Sequence, residues 1–288
     1  MLSTMICFRL LDSDDPATPL AEAVATLRRG EAAESVYAVN PESFRQVPNA
    51  PFAYWVSNEF KSVYKRLPTF ESERLGRTTA CGLGTTDNFR FLRLSWECPG
   101  DCGDWTVYFD GGKFSRFWDE YQLRVLWSND GMQIKRLIED KFGTASRKVQ
   151  GATDYFRAGF VFPRRTRALA PKAIPSNGIF SNAGQAGFLK EIDLAWGIGL
   201  LGTSLVSFLI SLSQGSAQGG AQFEVGLIKR IPWPNDVAEQ TRGLLANAVH
   251  ESIFLKRRLA SSMPSSTAFF APALRPTANS TSTTASDA

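Results

Sequence analysis

The sequence contains one histidine, His250, in 288 residues. A single imidazole excludes a His-based catalytic triad and a multi-histidine metal centre, which leaves carboxylates, lysines or a bound cofactor for any chemistry. Cysteine is also scarce. Of Cys7, Cys81, Cys98 and Cys102 only the last two are close, as Cys-Pro-Gly-Asp-Cys, and one pair without a second does not supply a four-ligand zinc site. The pair is read as reduced turn cysteines of a cytosolic protein. Charge of one sign is not in large excess either: a net +4 proves no polyanionic partner, although local clustering can still build a binding face. The N-terminal MLSTMICFRLLDSDD has no basic region and too short an apolar run for a secretory signal, so a cytoplasmic location is expected.

With 43% hydrophobic and 21% charged residues, the composition is that of a globular protein able to bury one large core or two modest ones. One stretch departs from it. Residues 194–212, LAWGIGLLGTSLVSFLISL, are uncharged over about the length that spans a bilayer. Three glycines and the lack of a flanking Lys/Arg cluster favour a buried core helix and no membrane partner. The alternative is a small membrane or scaffold protein anchored by that helix.

Elsewhere the patterning predicts a mixed α/β (α+β) fold, strand-rich, with a buried helix and a C-terminal amphipathic helix. Residues 5–11 read as a strand, and Thr18-Pro19 opens a helix that closes at Arg28-Arg29-Gly30. Short aromatic-rich runs over 35–127 suggest strands, with one helix near 57–67, and helical spacing over 130–142 stops at Gly143. Residues 155–190 are loop and strand with six basic and no acidic residues. A Gly/Ser loop follows at 214–222, then a strand at 223–233 and a helix capped by Asn235 that runs to about Leu259. The Ser/Thr/Ala/Pro-rich residues 261–288 are expected to be largely disordered. The expected divisions are a strand-helix lead-in at 1–34, a main domain at 35–235, the helix at 236–260 and the tail.

Cys81-Gly82-Leu83-Gly84 invites comparison with the glycine loop that holds S-adenosylmethionine. Such a loop follows a buried strand, opens a helix and reaches an acidic residue at the end of the next strand. Only four residues separate Gly84 from the strand read near Phe89, whereas a parallel crossover needs about ten or more. Upstream, ESERLGR at 71–77 is too charged for a buried parallel strand. The Asn/Asp-Pro-Pro-aromatic tetrapeptide that holds a flipped adenine is also missing, its nearest approach being Asn40-Pro41-Glu42-Ser43. The residues therefore predict no catalytic group and no cofactor site in this chain.

The run Gly82 to Arg93, GLGTTDNFRFLR, instead resembles the Gly-x-x-Thr-x-Asp-Asn-x-x-Phe-x-Arg block in the C-terminal target-recognition region of large adenine-specific DNA methyltransferases, of the BREX phage-defence and type IIG restriction kind. Further blocks follow in that family's order: PFAYW from Pro51, WTVYFDGGK from Trp105, WSNDG from Trp127, YFRAG from Tyr155, PSNGIF from Pro175 and VGLIKRIP from Val225. The resemblance covers roughly residues 36–273. It implies a chain that recognises a double-stranded DNA sequence. A catalytic half, in the same or a separate polypeptide, would carry S-adenosylmethionine and methylate adenine N6, with other phage-defence components as further partners. Two positions depart from the pattern: Leu201-Gly202-Thr203-Ser204 replaces a common Leu-Asn-Ser, and Lys172 stands where the family commonly has Arg, whose planar fork Lys cannot reproduce.

Three groups are candidates for DNA contact. Arg157, Arg164, Arg165, Arg167 and Lys172, interspersed with aromatics, form the main one, against the plain alternative of a solvated charged loop. Thr85, Thr86, Asn88, Arg90 and Arg93 form the second, with Arg90 alternating between Phe89 and Phe91; a simple hairpin turn at Asp87-Asn88 is its alternative. Lys113 and Arg116, beside Gly111-Gly112, form a third. One expectation is testable at once. The isolated chain should give no saturable heat on calorimetric titration with S-adenosylmethionine, and micromolar binding abolished by Gly84→Ala would overturn this reading of the glycine segment.

Overall fold

The computed structural model describes residues 4–11, 13–98, 103–214 and 222–270 and has the expected mixed α/β character. The chain opens with β1 (Met5–Phe8), α1 (Ala17–Arg28) and β2 (Val36–Val39), and the two strands pair antiparallel. Helix α1 starts two residues earlier than the Thr18-Pro19 spacing predicts, with the Asp15 carboxylate accepting from the Ala17 amide at 3.1 Å ahead of its first turn. Its end is as expected, at Gly30 with φ +76°. Asn40 accepts from the Glu42 amide at 3.0 Å and so caps a 3-10 turn at Pro41–Gln46, which gives the Asn-Pro-Glu-Ser stretch a local structural job. Ser57 caps α2 (Asn58–Arg66) by accepting from the Phe60 amide at 3.2 Å.

Two four-stranded sheets make the body. Their elements are β3 (Thr78–Ala80), α3 (Asn88–Phe91), β4 (Leu92–Leu94), β5 (Trp105–Phe109), β6 (Leu123–Leu126), α4 (Ser128–Phe142), β7 (Gly159–Pro163), β8 (Lys172–Ile174), β9 (Gly178–Phe180) and β10 (Gly184–Phe188). One sheet runs β3-β10-β7-β8, antiparallel throughout; the other runs β4-β6-β5-β9, with only β5 and β9 parallel. Every residue of β7 and β10 is buried. That explains why Gly-Phe-Val-Phe-Pro and Gly-Gln-Ala-Gly-Phe show no polar alternation: both faces of these strands are covered. Helix α4 ends at Gly143, φ +79°, where the sequence placed its stop.

The remaining helices are α5 (Glu191–Leu201), α6 (Ser204–Gln214), α7 (Val225–Ile228) and α8 (Glu239–Ala260). The apolar stretch read as one buried helix is therefore two, α5 and α6, bent by 71°. Among the described residues no single helix is long and apolar enough to cross a membrane. The break has a packing cause. A side chain at Gly202 would come within 2.7 Å of the Phe117 ring, and the Thr203 hydroxyl accepts from the Val206 amide to start α6. Trp196, Ile198, Leu201, Val206 and Ile210 from the pair fill a core shared with Phe160, Phe162, Trp233 and Val249.

Two more readings are corrected. Residues 223–233 form the short α7 and a turn instead of a strand, with Phe223, Ile228, Ile231 and Trp233 buried in the same core. Helix α8 starts at Glu239 behind Ala238, and Asn235 contributes its carbonyl to Arg242 at 2.9 Å instead of a cap. Residues 261–270 of the tail fold back onto the body: the Ser266 hydroxyl bonds the Glu120 carboxylate, and Gln122 donates to the Ser265 carbonyl at 3.3 Å. The rest of the tail, most of the Gly/Ser loop (215–221) and Cys102 lie outside the described residues.

Lys172, placed at the DNA face by the sequence, is an interior residue. Its side chain is 1% exposed, and its ammonium donates to Asp119 Oδ2 at 2.6 Å and to the Gly111 carbonyl at 2.8 Å. A buried charge is tolerable only while its partners remain. Asp119→Asn is expected to destabilise the fold by roughly 3 kcal/mol, read as a lower midpoint in urea unfolding. An unchanged midpoint would mean that the carbonyl alone is sufficient.

Candidate nucleic-acid interface

The glycine segment is a structural strut. Leu83 bridges Val149 on one side and Ser181 on the other, so residues 81–84 run extended between two other segments. The Leu83 amide donates to the Phe180 carbonyl at 2.9 Å and the Gly84 amide to the Lys148 carbonyl at 2.8 Å, while the Leu83 carbonyl accepts from Asn182 N at 3.0 Å and from the Tyr108 hydroxyl at 2.6 Å. The Leu83 and Gly84 amides are thus both engaged within the protein. Burial raises the Tyr108 pKa and keeps the hydroxyl a donor. The two glycines differ. A β-carbon on Gly82 would sit 2.1 Å from the Phe180 carbonyl oxygen, whereas one on Gly84 would make only ordinary contacts with Lys148 and Asn182.

Gly84 opens onto a cleft of about 650 Å³. Thr85, Thr86 and Asn88 line one wall, and Asp110, Lys148 and Asn182 are set against them. The Thr85 hydroxyl is buried on the Asn88 side-chain oxygen, and Thr86 has φ +68° and is exposed. Beyond them the structure departs from the strand reading of Phe89-Arg90-Phe91. Asp87 accepts from the Arg90 amide at 3.1 Å and caps the one-turn helix α3, which turns Phe91 into the core and leaves Phe89 93% exposed. Arg90 is exposed, its guanidinium 4.9 Å from the Phe91 ring centre. Arg93 is committed to the carbonyls of Phe89 and Leu92 at 2.8 and 2.7 Å and lies over Trp105. Lys148 and Asn182 were not singled out from the sequence, because their place in the cleft depends on tertiary contacts.

The main basic group is divided by β7. Arg157 precedes that strand, paired with Asp154 at 2.8 Å and lying over the Phe188 ring. Arg164, Arg165 and Arg167 follow it, about 20 Å further on at the strand rise per residue. Arg164 pairs with Glu224, and its amide donates to the Ala183 carbonyl at 3.3 Å, at the rim of the cleft. Arg165 and Arg167 are exposed and, among the described residues, have no carboxylate partner. The guanidinium of Arg167 lies 4.4 Å and that of Arg116 5.5 Å from the centre of one ring, Phe114, with exposed Lys113 adjacent. The fold thus splits the first candidate group and brings its Arg167, with Arg165 two residues before it, onto the same ring as Arg116 of the third.

The described residues thus form a mixed α/β scaffold with a group of cations that have no carboxylate partner among them, close to a polar cleft. No family model matches the chain. It is distantly similar to the adenine-specific methyltransferase PglX of Lacticaseibacillus casei (strain Zhang), 21% identical over 230 residues, which cover 74% of this chain and 19% of that protein. A solved structure of the Type IIL restriction-modification enzyme MmeI in complex with DNA aligns with 63% of this chain and 28% of its own, at 15% identity and a TM-score of 0.47. The chain therefore spans about a fifth of the length of the curated relative it matches.

The glycines give a paired prediction. Gly82→Ala should cost about 1 to 3 kcal/mol in urea unfolding, because backbone must move to admit the methyl group. Gly84→Ala should leave stability within about 1 kcal/mol of the parent while crowding the cleft. Equal losses in both variants would contradict the strut geometry.

Proposed function

We propose that this chain is the sequence-recognising part of an adenine-N6 DNA methyltransferase of a restriction-modification or BREX-like phage-defence system, with residues 35–235 as the recognition domain. Double-stranded DNA is its ligand. The methyl transfer belongs to a catalytic half, in the same or another polypeptide, that holds S-adenosylmethionine; a cytoplasmic location and other defence components as partners go with this reading. The observation that carries it is the ridge of Lys113, Arg116, Arg165 and Arg167, cations without carboxylate partners among the described residues, next to a cleft lined by amide, hydroxyl, ammonium and carboxylate groups. Arginines and lysines that are free of internal partners are what phosphate contact requires. Amides and carboxylates offer the directional donors and acceptors that discriminate base edges. The distant similarity to PglX supports the same assignment.

Within this reading the structure redistributes the roles. Lys172 is left out, because its ammonium is buried on Asp119. Arg93 supports the backbone beneath Arg90. Arg157 lies apart from the ridge, at the other end of β7. Thr86, Asn88 and Arg90, joined by Lys148 and Asn182, form the reading edge, and Thr85 orients Asn88.

Duplex binding measured across a salt series, with and without the catalytic half, tests the assignment. Arg165→Ala and Arg167→Ala should each weaken binding to all sequences and lower the salt slope by about one unit per lost phosphate contact. Arg164→Ala should do less, since Glu224 already neutralises it. Asn88→Ala or Asn182→Ala should instead change the preferred site, by roughly 1 to 3 kcal/mol of discrimination. An unchanged slope in the Arg165, Arg167 double variant would remove the ridge from the interface.

A further inference from the structure

A second, separate site lies at the opposite end of the β3-β10-β7-β8 sheet. Strand β10 leaves the cleft at Gly184 and ends at Phe188; Leu189 and Lys190 follow and, with Arg74, Arg77, Asp193 and Arg242, enclose a pocket of about 240 Å³ walled by Trp196 and Trp233. Four cations and a single carboxylate face this space. That carboxylate is already occupied: Asp193 Oδ1 accepts from the Trp196 indole N–H at 2.9 Å and lies 3.6 Å from Arg242 Nη1.

Asp193 pairs with Arg242, while Arg74, Arg77 and Lys190 have no carboxylate partner among the described residues. Arg77 is buried, and its Nε and Nη2 donate to the carbonyls of Phe70 and Thr69 at 2.6 and 3.4 Å while its guanidinium lies 5.7 Å from the Trp233 ring centre. Those partners are neutral, and burial lowers the Arg77 pKa. Arg242 is fixed over the Trp196 ring by Asp193 and by the Asn235 carbonyl, yet its Nε is buried without an acceptor. A buried guanidinium donor without an acceptor costs stability unless a ligand supplies one. Lys190 packs along Gly76, whose φ of +71° brings Arg74 and Arg77 to the same rim.

We propose that this pocket binds a phosphate group, either of a small phosphorylated molecule or of a nucleic-acid backbone. Tetrahedral oxyanions accept several convergent N–H donors at once, and guanidinium forks match them. The site is independent of the arginine ridge, because β10 separates them by its whole length.

Trp196 and Trp233 line the pocket and serve as reporters. The full chain is titrated with inorganic phosphate at constant ionic strength, chloride replacing phosphate in the control, while indole fluorescence is recorded. A saturable change with phosphate and none with chloride is expected, weakened at least tenfold in Arg74→Ala and Lys190→Ala. Both of these side chains are exposed, so an unchanged urea midpoint will separate lost binding from lost folding. A second arm measures duplex DNA. If the same variants also weaken the duplex and lower its salt slope, the phosphate is the backbone's; if the duplex is unaffected, it belongs to a free ligand. A phosphate response no larger than that of chloride, or one equal in the variants, overturns the proposal whatever the fate of the DNA reading.

Discussion

The arrangement of the molecule depends on one close approach of backbone to backbone, where the end of β5 meets the turn between β9 and β10. A side chain at Gly111 would come within 2.4 Å of the Ala183 carbonyl oxygen, and one at Gly184 within 2.5 Å of the Gly111 nitrogen, so both positions must be glycine for the two sheets to touch. Buried Ser181 ties the junction with three bonds, donating to Asp110 Oδ1 at 2.7 Å and accepting from the amides of Ala183 and Gly184 at 3.1 and 2.7 Å. The Gly111 carbonyl takes the buried Lys172 ammonium, and the Ala183 carbonyl takes the Arg164 amide. Cleft, ridge and interior charge pair all hang from these few atoms.

The junction also explains what the sequence could and could not disclose. Gly30 and Gly143 were legible because a left-handed stop is decided by one residue and its immediate neighbours, whereas the caps read at Thr18 and Asn235 fell elsewhere. The α5–α6 break was not, because Gly202 looks like any helical glycine until Phe117 arrives against it from another part of the chain. Asp87-Asn88 was ambiguous on local grounds alone, since the same pair starts a turn or caps a helix. Lys172 was misjudged for a third reason: charge type does not reveal burial, and Asp119 is distant in sequence. The separation of Arg165 and Arg167 from Arg157 was not legible either, since it needed the length of β7.

The ridge is braced from below. Lys256 of α8 donates to the Ser115 hydroxyl at 2.6 Å and the Arg116 carbonyl at 2.7 Å, with burial lowering its pKa, and Phe117 is hydrogen-bonded on both sides, to the Pro171 carbonyl and from the Ala173 amide. The segment bearing Lys113 and Arg116 is therefore fastened to the C-terminal helix and to the start of β8. Backbone held in this way loses less freedom on binding, a saving that would favour the proposed contact without any added bond. It also gives α8 a part in the site although none of its residues lies in the cleft.

Ridge and cleft have different chemistry, and the difference bears on how one small fold can separate affinity from choice. The ridge offers only donors, which attract any phosphate and carry no sequence information. The cleft is lined by Asn88 and Asn182, each both donor and acceptor, together with Lys148 and Asp110. A mismatched base edge there would leave a polar group unpaired, which costs more than a missing attraction does. The Arg164 amide donates to the Ala183 carbonyl, which ties the chain leading to Arg165 and Arg167 to the rim of the cleft. In the proposed role, discrimination would follow from geometry that the glycine junction fixes.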